Sequence, residues 1–586
     1  MKSNIKQVLL MLNSQLFNKI LLLFLLFILI LVNIDLYSQT AATVNVNCTQ
    51  TQGLLFRAED YNNVSGKNTG KNTRNADYAF MNSNGLHAKV LRVWLGEADV
   101  YNTTTSLYNY SAVSDYLNDV SSIYADEILV NFTASMMIQS WKLTPAQSKP
   151  VVKKILTDLK KLYPKIKYIE CMNEPDNWGG GFTESMVYPY YKIFYEAVNE
   201  INDELKPVMP LQIGGIAIMT FKYNSSWLTR FLDDYKNDTD PTKRLDFISY
   251  HMYSYKSGPR EISTTRGQVD TWLLSRGLST NIPSLITETG LFAGSDTSGT
   301  PADDALRQAA GMASYNYWFT FSSKNTPFQW VLRHANYPIK DQMVSDPTTY
   351  SDKFTPYGNM LKMMGMMKKT RLTTSNIMDG NGIGVYGYAA LDSSGISMMA
   401  WNYQHTGTTR YSTTLNITNL PSIFTGKNIR RKMYKIDQTT SNNNFNLAKC
   451  NLAVLSDTII SNPGASYSIL LPVMNENSVQ MIVLEPSDIN SGIPVIKNDQ
   501  SVQISPNPTS GDYFNIELKG LEINEPVTVE IYTLQGKRVY SQQGESNGTG
   551  QSSIAVYAKT ILVPGVYIVG VRSNKTRKTA KLVIGN

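Results

Sequence analysis

YIECMNEPDNWGGG, residues 168–181, starts as an apolar strand and then breaks into a turn. The break falls at Asn173-Glu174-Pro175, which puts a carboxylate at the strand's exit and a proline that stiffens the departing chain. Similar apolar runs lie on both sides. LLF (54–56), VLRVWL (90–95) and ILVNF (128–132) precede it; LQIGGI (211–216), FISYHM (247–252), SLITE (284–288) and FQWVL (328–332) follow. Successive starts are 36 to 44 residues apart, enough for a strand, a loop, a helix and a return. The intervening segments agree: Thr144 to Tyr163 opens with TPAQ, an N-cap followed by a first-turn proline, and continues with helical apolar spacing. Eight such units close into a (β/α)8 barrel of about 250 residues or more. A doubly wound open sheet is the competing α/β arrangement. The fold class expected is α/β, with the barrel over residues 45–370.

Beyond the helix that begins near Pro356 the pattern changes. GIGVYGYAAL (382–391), GISMMAWNY (395–403) and VQMIVLEP (479–486) are short strands parted by Gly, Asn and Ser turns, so residues 371–486 read as a β-sandwich. Residues 487–500 are polar with scattered Gly and Pro and read as a linker. A small all-β domain is expected over residues 501–586. At the other end, Lys2, Lys6 and Lys19 precede an apolar run from Ile20 to Val32 and a small, polar close at Ser38-Gln39-Thr40. That order is a secretory signal over residues 1–38, with a run short for a membrane span; an uncleaved anchor is the alternative.

The net charge of +7 names no partner. Residues 1–38 hold three basic and one acidic side chain and residues 487–586 hold ten and eight, which leaves 41 against 38 between them. No Lys/Arg block of the kind that binds nucleic acid is present. Cys48, Cys171 and Cys450 are too few and scattered for a disulfide framework or a zinc site, and Cys171 reads as a buried thiol in an apolar strand. No cofactor or metal is expected.

In such a barrel the loops at the strands' C-terminal ends build the active site. Glu174 follows the fourth run and Glu288 ends the seventh, three units apart and therefore facing each other across the mouth. Taken singly, CMNEPDNWGGG (171–181) also suits a plain turn, and Glu288 a helix N-terminus. Together they suit glycoside hydrolysis, in which one carboxyl protonates the leaving oxygen and the other attacks the anomeric carbon. Asn173 can bond a ring hydroxyl beside the scissile bond.

The NEP at the fourth strand, the glutamate at the seventh and the repeating units resemble clan A glycoside hydrolases. LDFISYHMY (245–253) and GISMMAWNY (395–403) look most like family 39, which includes β-xylosidases and α-L-iduronidases and joins its barrel to a β-sandwich. The resemblance spans roughly residues 50–486. It departs from the family at Met172, where Trp commonly precedes the Asn-Glu-Pro, and at Thr289, where an aromatic often follows the nucleophile. Membership of the clan implies retention of configuration, with Glu174 as acid/base and Glu288 as nucleophile. It further implies Arg92 as a charge partner of Glu288, His251 and Tyr253 as neighbours of the cavity, Trp330 as its aromatic floor and Trp178 as a platform for an adjacent sugar. The tail resembles type IX secretion sorting domains through SPNPTSG, IYTLQGKRVY, PGVYIVGV and the closing KLVIG. The expected partners are a polysaccharide or oligosaccharide and the type IX machinery, with a secreted or surface location. A transglycosylase, or a carbohydrate-binding surface protein on a hydrolase scaffold, is the alternative function.

Overall fold

A computed structural model describes most of residues 39–488 and 502–585. Residues 64–69, 97–99, 178–180, 292–300, 334–340, 346–351, 377 and 379, and short stretches between the last strands, lie outside the described set. So do the expected signal over 1–38 and residues 489–501, which hold most of the expected linker.

Eight parallel strands close into a barrel: β1 (Tyr61–Asn63), β2 (Ala88–Trp94), β3 (Ala125–Phe132), β4 (Ile166–Cys171), β5 (Gln212–Ile218), β6 (Phe247–Met252), β7 (Ser284–Thr289) and β8 (Asn325–Gln329). Each pairs with its neighbours in sequence, and β8 meets β1 through Gln329 and Asn62. Helices return the chain between strands, among them Pro145–Leu162, Glu184–Leu205 and Pro301–Phe319. The helix Pro145–Leu162 begins on a complete capping box, in which Thr144 and Gln147 satisfy each other's backbone N–H groups. The paired glycines of LQIGGI let β5 run close to β6: a Cβ on Gly214 would stand 2.2 Å from the carbonyl oxygen of Phe247.

One strand departs from the expected order. The first barrel strand is Tyr61–Asn63, not the LLF run at 54–56. Only Leu54 of that run is in a strand, as the last residue of Thr40–Leu54, which pairs antiparallel with Thr370–Asn376 and parallel with Tyr411–Thr418. Residues 45–54, expected in the barrel, therefore belong to a nine-stranded sheet with the strands that follow it. The strand is held there because its alternate residues Ala42, Val44, Val46 and Cys48 enter that sheet's core, whereas Leu55 of the LLF run packs into the core of the barrel.

The large sheet curls, sandwich-like, and its strands Gly384–Asp392 and Gly395–Tyr403 are buried on both faces. In Gly384–Asp392 and Gly395–Tyr403, Tyr386, Tyr388, Met399, Trp401 and Tyr403 share a core with the barrel, while Val385, Ala389, Met398 and Ala400 line the sheet's own interior. Tyr317, from the helix before β8, lies edge-on to Tyr388 and Trp401 at 5.3 and 5.7 Å between ring centroids. The described residues up to Asp488 form one compact unit and those from Val502 onward a second. The second unit holds a three-stranded and a four-stranded sheet around a small core that includes Phe514, Val529, Val569 and Leu582. Cys48, Cys171 and Cys450 are free and buried.

Candidate active site

The barrel's geometry brings side chains from β1, β2, β4, β6 and β7 to one end. Glu174 sits just past β4 and Glu288 within β7; their exposures are 6% and 5%. Glu174 has φ +46° and Met172 φ +76°, left-handed conformations that are costly for side chains other than glycine. Two backbone bonds hold Glu174 there: its N–H donates to Ala217 on β5 at 2.9 Å, and its carbonyl accepts from the N–H of Asn177 at 3.0 Å. The Met172 carbonyl accepts from the Asn131 side chain at 2.8 Å.

Arg92 on β2 is fully buried and spends its charge on two carboxylates. Its Nε donates to Glu170 at 2.7 Å and its NH1 to Oε1 of Glu288 at 2.7 Å. NH1 also reaches Asn63 at 3.3 Å, and NH2 donates to Oδ1 of Asn173 at 2.5 Å. The Tyr253 hydroxyl donates to the other oxygen of Glu288, Oε2, at 2.6 Å. His251, opposite Glu288 in the register of β6 with β7, has Nδ1 2.9 Å from Oε1 of Glu174 and 3.5 Å from Oε2 of Glu288. Trp330 follows β8, tilted against Trp94 at 5.2 Å, and Arg92 lies over the Trp94 ring at 5.4 Å. The expected platform Trp178 lies outside the described residues.

Three residues in this cluster were not foreseen. Glu170 is completely buried in β4 and accepts from both Arg92 and Asn131. Asn131 thereby ties β3 to β4, and Asn63 donates to the carbonyl of Thr287 on β7 at 3.0 Å. A charged residue inside an apolar strand was a legible signal for Glu170. Neither asparagine stood out, since the short polar strand carrying Asn63 resembles a loop.

Opposed effects set the protonation of the cluster. Burial pushes the Glu288 carboxyl above its ordinary range, with the Glu174 charge adding to it, while His251, Arg92 and the Tyr253 bond pull the other way. Burial also acts to raise Glu170, but Arg92 and His251 outweigh it and hold that carboxyl below the usual range. For His251, burial opposes the charged ring, yet the carboxylates of Glu288 and Glu174 prevail and raise it.

Glu174, His251 and Glu288 each offer one atom of a metal-ligating type, all within 4.8 Å of one another. The oxygens of Glu288 already accept from Arg92 and Tyr253, and a guanidinium 2.7 Å from a would-be ligand repels a second cation. The donor set suits proton transfer and an ionised carboxylate rather than a metal ion.

Residues 503–585 match the model of the secretion system C-terminal sorting domain, which marks the chain for export to the cell surface or medium. Among the described residues no helix is long and apolar enough to cross a membrane. No curated protein sequence matches the chain. Among solved structures, a bacterial orthologue of human α-L-iduronidase is similar, with a TM-score of 0.56 at 12% identity over 92% of this chain and 100% of its own. A glucosidase from Croceicoccus marinus gives a TM-score of 0.54 at 16% identity, over 76% of this chain and 99% of its own. Likeness at these identities is likeness of fold.

Proposed function

We propose that this chain is an exported retaining glycoside hydrolase, cleaving O-glycosidic bonds in extracellular poly- or oligosaccharide through a covalent glycosyl-enzyme. The observation that carries the reading is the pair of buried carboxylates across the barrel mouth, with an oxygen of each within 4.8 Å of the other. Retaining enzymes hold their carboxyl groups about 5–5.5 Å apart, and inverting enzymes about 6.5–9.5 Å to admit a water. The spacing here favours the first geometry.

The neighbours support this division of roles between Glu288 and Glu174. Glu288 accepts strong bonds on both oxygens, from Arg92 and Tyr253, as an ionised nucleophile does. It attacks the anomeric carbon as the bond to the leaving oxygen breaks, and Glu174 passes its proton to that oxygen. In the second step Glu174 takes a proton from water, whose oxygen attacks the same carbon and releases Glu288, so that two inversions leave the configuration retained. Asn173 has its carbonyl oxygen engaged by Arg92, which orients its amide N–H groups for a sugar hydroxyl. Trp330 supplies an apolar face for the ring. The motifs shared with family 39, and the fold shared with the iduronidase orthologue, support a member of that group, delivered by the type IX route that its sorting domain serves.

Glu174→Gln tests the assignment. On glycosides with poor leaving groups kcat/KM is expected to fall by about 10²–10⁴-fold, while activated aryl glycosides still form the intermediate. Azide is then expected to restore turnover and yield a glycosyl azide of retained configuration. Equal loss on both substrate types, with no azide product, counts against the role.

A further inference from the structure

We infer that His251 is a positioning residue that decides which oxygen of Glu174 carries the working proton, reserving Oε1 for its own Nδ1–H and leaving Oε2 to hold the acid hydrogen. The inference rests on the reading of Glu174 as the acid/base. His251 is fully buried on β6, and its Nε2 has no hydrogen-bond partner among the described residues. The ring's hydrogen bonding therefore runs through Nδ1. A neutral imidazole has a single N–H, and a buried N–H without an acceptor is costly, so its hydrogen belongs on Nδ1, 2.9 Å from Oε1 of Glu174; the charged ring, which the two carboxylates favour, carries a hydrogen on Nδ1 as well. An oxygen that accepts this bond cannot also direct an O–H along the same line, since two hydrogens would meet between the heavy atoms. When Glu174 is protonated, its hydrogen thus sits on Oε2, whose hydrogen-bonding neighbour among the described residues is the Asn177 amide at a long 3.4 Å. That weak contact leaves Oε2 able to give its hydrogen to a leaving oxygen.

The backbone fixes this arrangement. His251 and Glu288 are register partners on β6 and β7, and the Glu174 N–H is tied to Ala217 on β5. The Tyr253 ring stands perpendicular to the imidazole, at 89° and 6.4 Å between centroids. Nδ1 is also 3.5 Å from Oε2 of Glu288, so both carboxylates attract the same hydrogen. Once Glu288 is esterified by the sugar its charge is gone, and the Nδ1–H is left to favour the ionised form of Glu174. That is the form the second step needs in order to take a proton from water.

Aryl glycosides of the sugar that the wild-type chain releases, graded from dinitrophenyl to unsubstituted phenyl, provide the test. Removing the bond with His251→Ala is expected to lower kcat/KM by about 10²-fold on the phenyl glycoside, which needs the proton, and by less than about 3-fold on the dinitrophenyl glycoside, which does not. His251→Asn places an amide N–H near the position of Nδ1–H and is expected to return the phenyl glycoside to within about 10-fold of wild type. A uniform loss across the series overturns the proposal. So does an Asn variant no better than Ala when both melt at the wild-type temperature. Glu174→Gln on the same series is the control: if its loss is also uniform, the acid/base reading has failed rather than the role of His251.

Discussion

Arg92 divides one positive charge between two buried carboxylates, Glu170 and Glu288, and the division bears on the pH at which the site works. As the proposed nucleophile Glu288 attacks only when ionised, and burial raises its carboxyl above the ordinary value of about 4.3. Activity is therefore lost as pH falls through that raised value, and the acid limb of kcat/KM is expected above the usual carboxylate range. The Tyr253 hydroxyl favours the charged form by donating to Oε2. Tyr253→Phe removes a bond to a charged group worth about 1.5–3 kcal/mol, so the acid limb should move up by about 1–2 pH units. A pH–rate profile checks this; a limb that stays put or moves down contradicts it. At this scale the sequence was readable wherever a chemical residue ended a strand, as Arg92, Glu288 and the His251–Tyr253 pair do. The positive φ of Glu174 and Met172 was not readable, because it is imposed by bonds to Ala217 and Asn131 on other strands.

Among the elements, the helix Pro145–Leu162 and the strand Tyr61–Asn63 are opposite cases. The helix announces itself locally: Thr144 caps it, proline opens it, and Gln147 completes the box at the third position. Thr144→Ala is expected to cost about 1 kcal/mol of stability while leaving kcat/KM unchanged, as measured by denaturant unfolding beside an activity assay. A loss of activity without a loss of stability would mean that the cap has a part in the site. The strand gives no such signal. It is three residues long, and its buried residues are Asn62 and Asn63, whose amide N–H groups donate to the carbonyls of Glu59 and Thr287. Apolar periodicity cannot find a strand whose inward side chains are amides. The LLF run nearby drew the assignment instead, although Leu54 is 81% exposed.

Over the whole molecule, the eight-unit repeat was legible because each unit is a local pattern, whereas the pairing of Thr40–Leu54 with strands more than 300 residues away leaves no local trace. The barrel and the curled sheet share a core through Tyr317, Tyr388 and Trp401, while the described residues from Val502 onward form a unit of their own. A chain ending at Asp488 is expected to fold, to keep its kcat/KM on soluble substrate and to remain in the periplasm for want of the sorting domain. One ending at Thr370 exposes the barrel face that the sheet covers and is expected to aggregate. Soluble yield, kinetics and cell fractionation check both; surface delivery of the chain ending at Asp488 would contradict the assigned role of the tail.

The central claim is that Glu288 forms a covalent bond to the sugar while Glu174 manages the proton. A 2-deoxy-2-fluoro glycoside of the sugar released, carrying an activated leaving group, slows both steps and lets the glycosyl-enzyme accumulate. Peptide mapping of the inactivated protein is expected to find one fluorosugar on the peptide containing LITETG, residues 285–290, attached to Glu288. A label on Glu174 would reverse the roles, and an unlabelled protein that releases a product of inverted configuration would contradict the retaining mechanism itself.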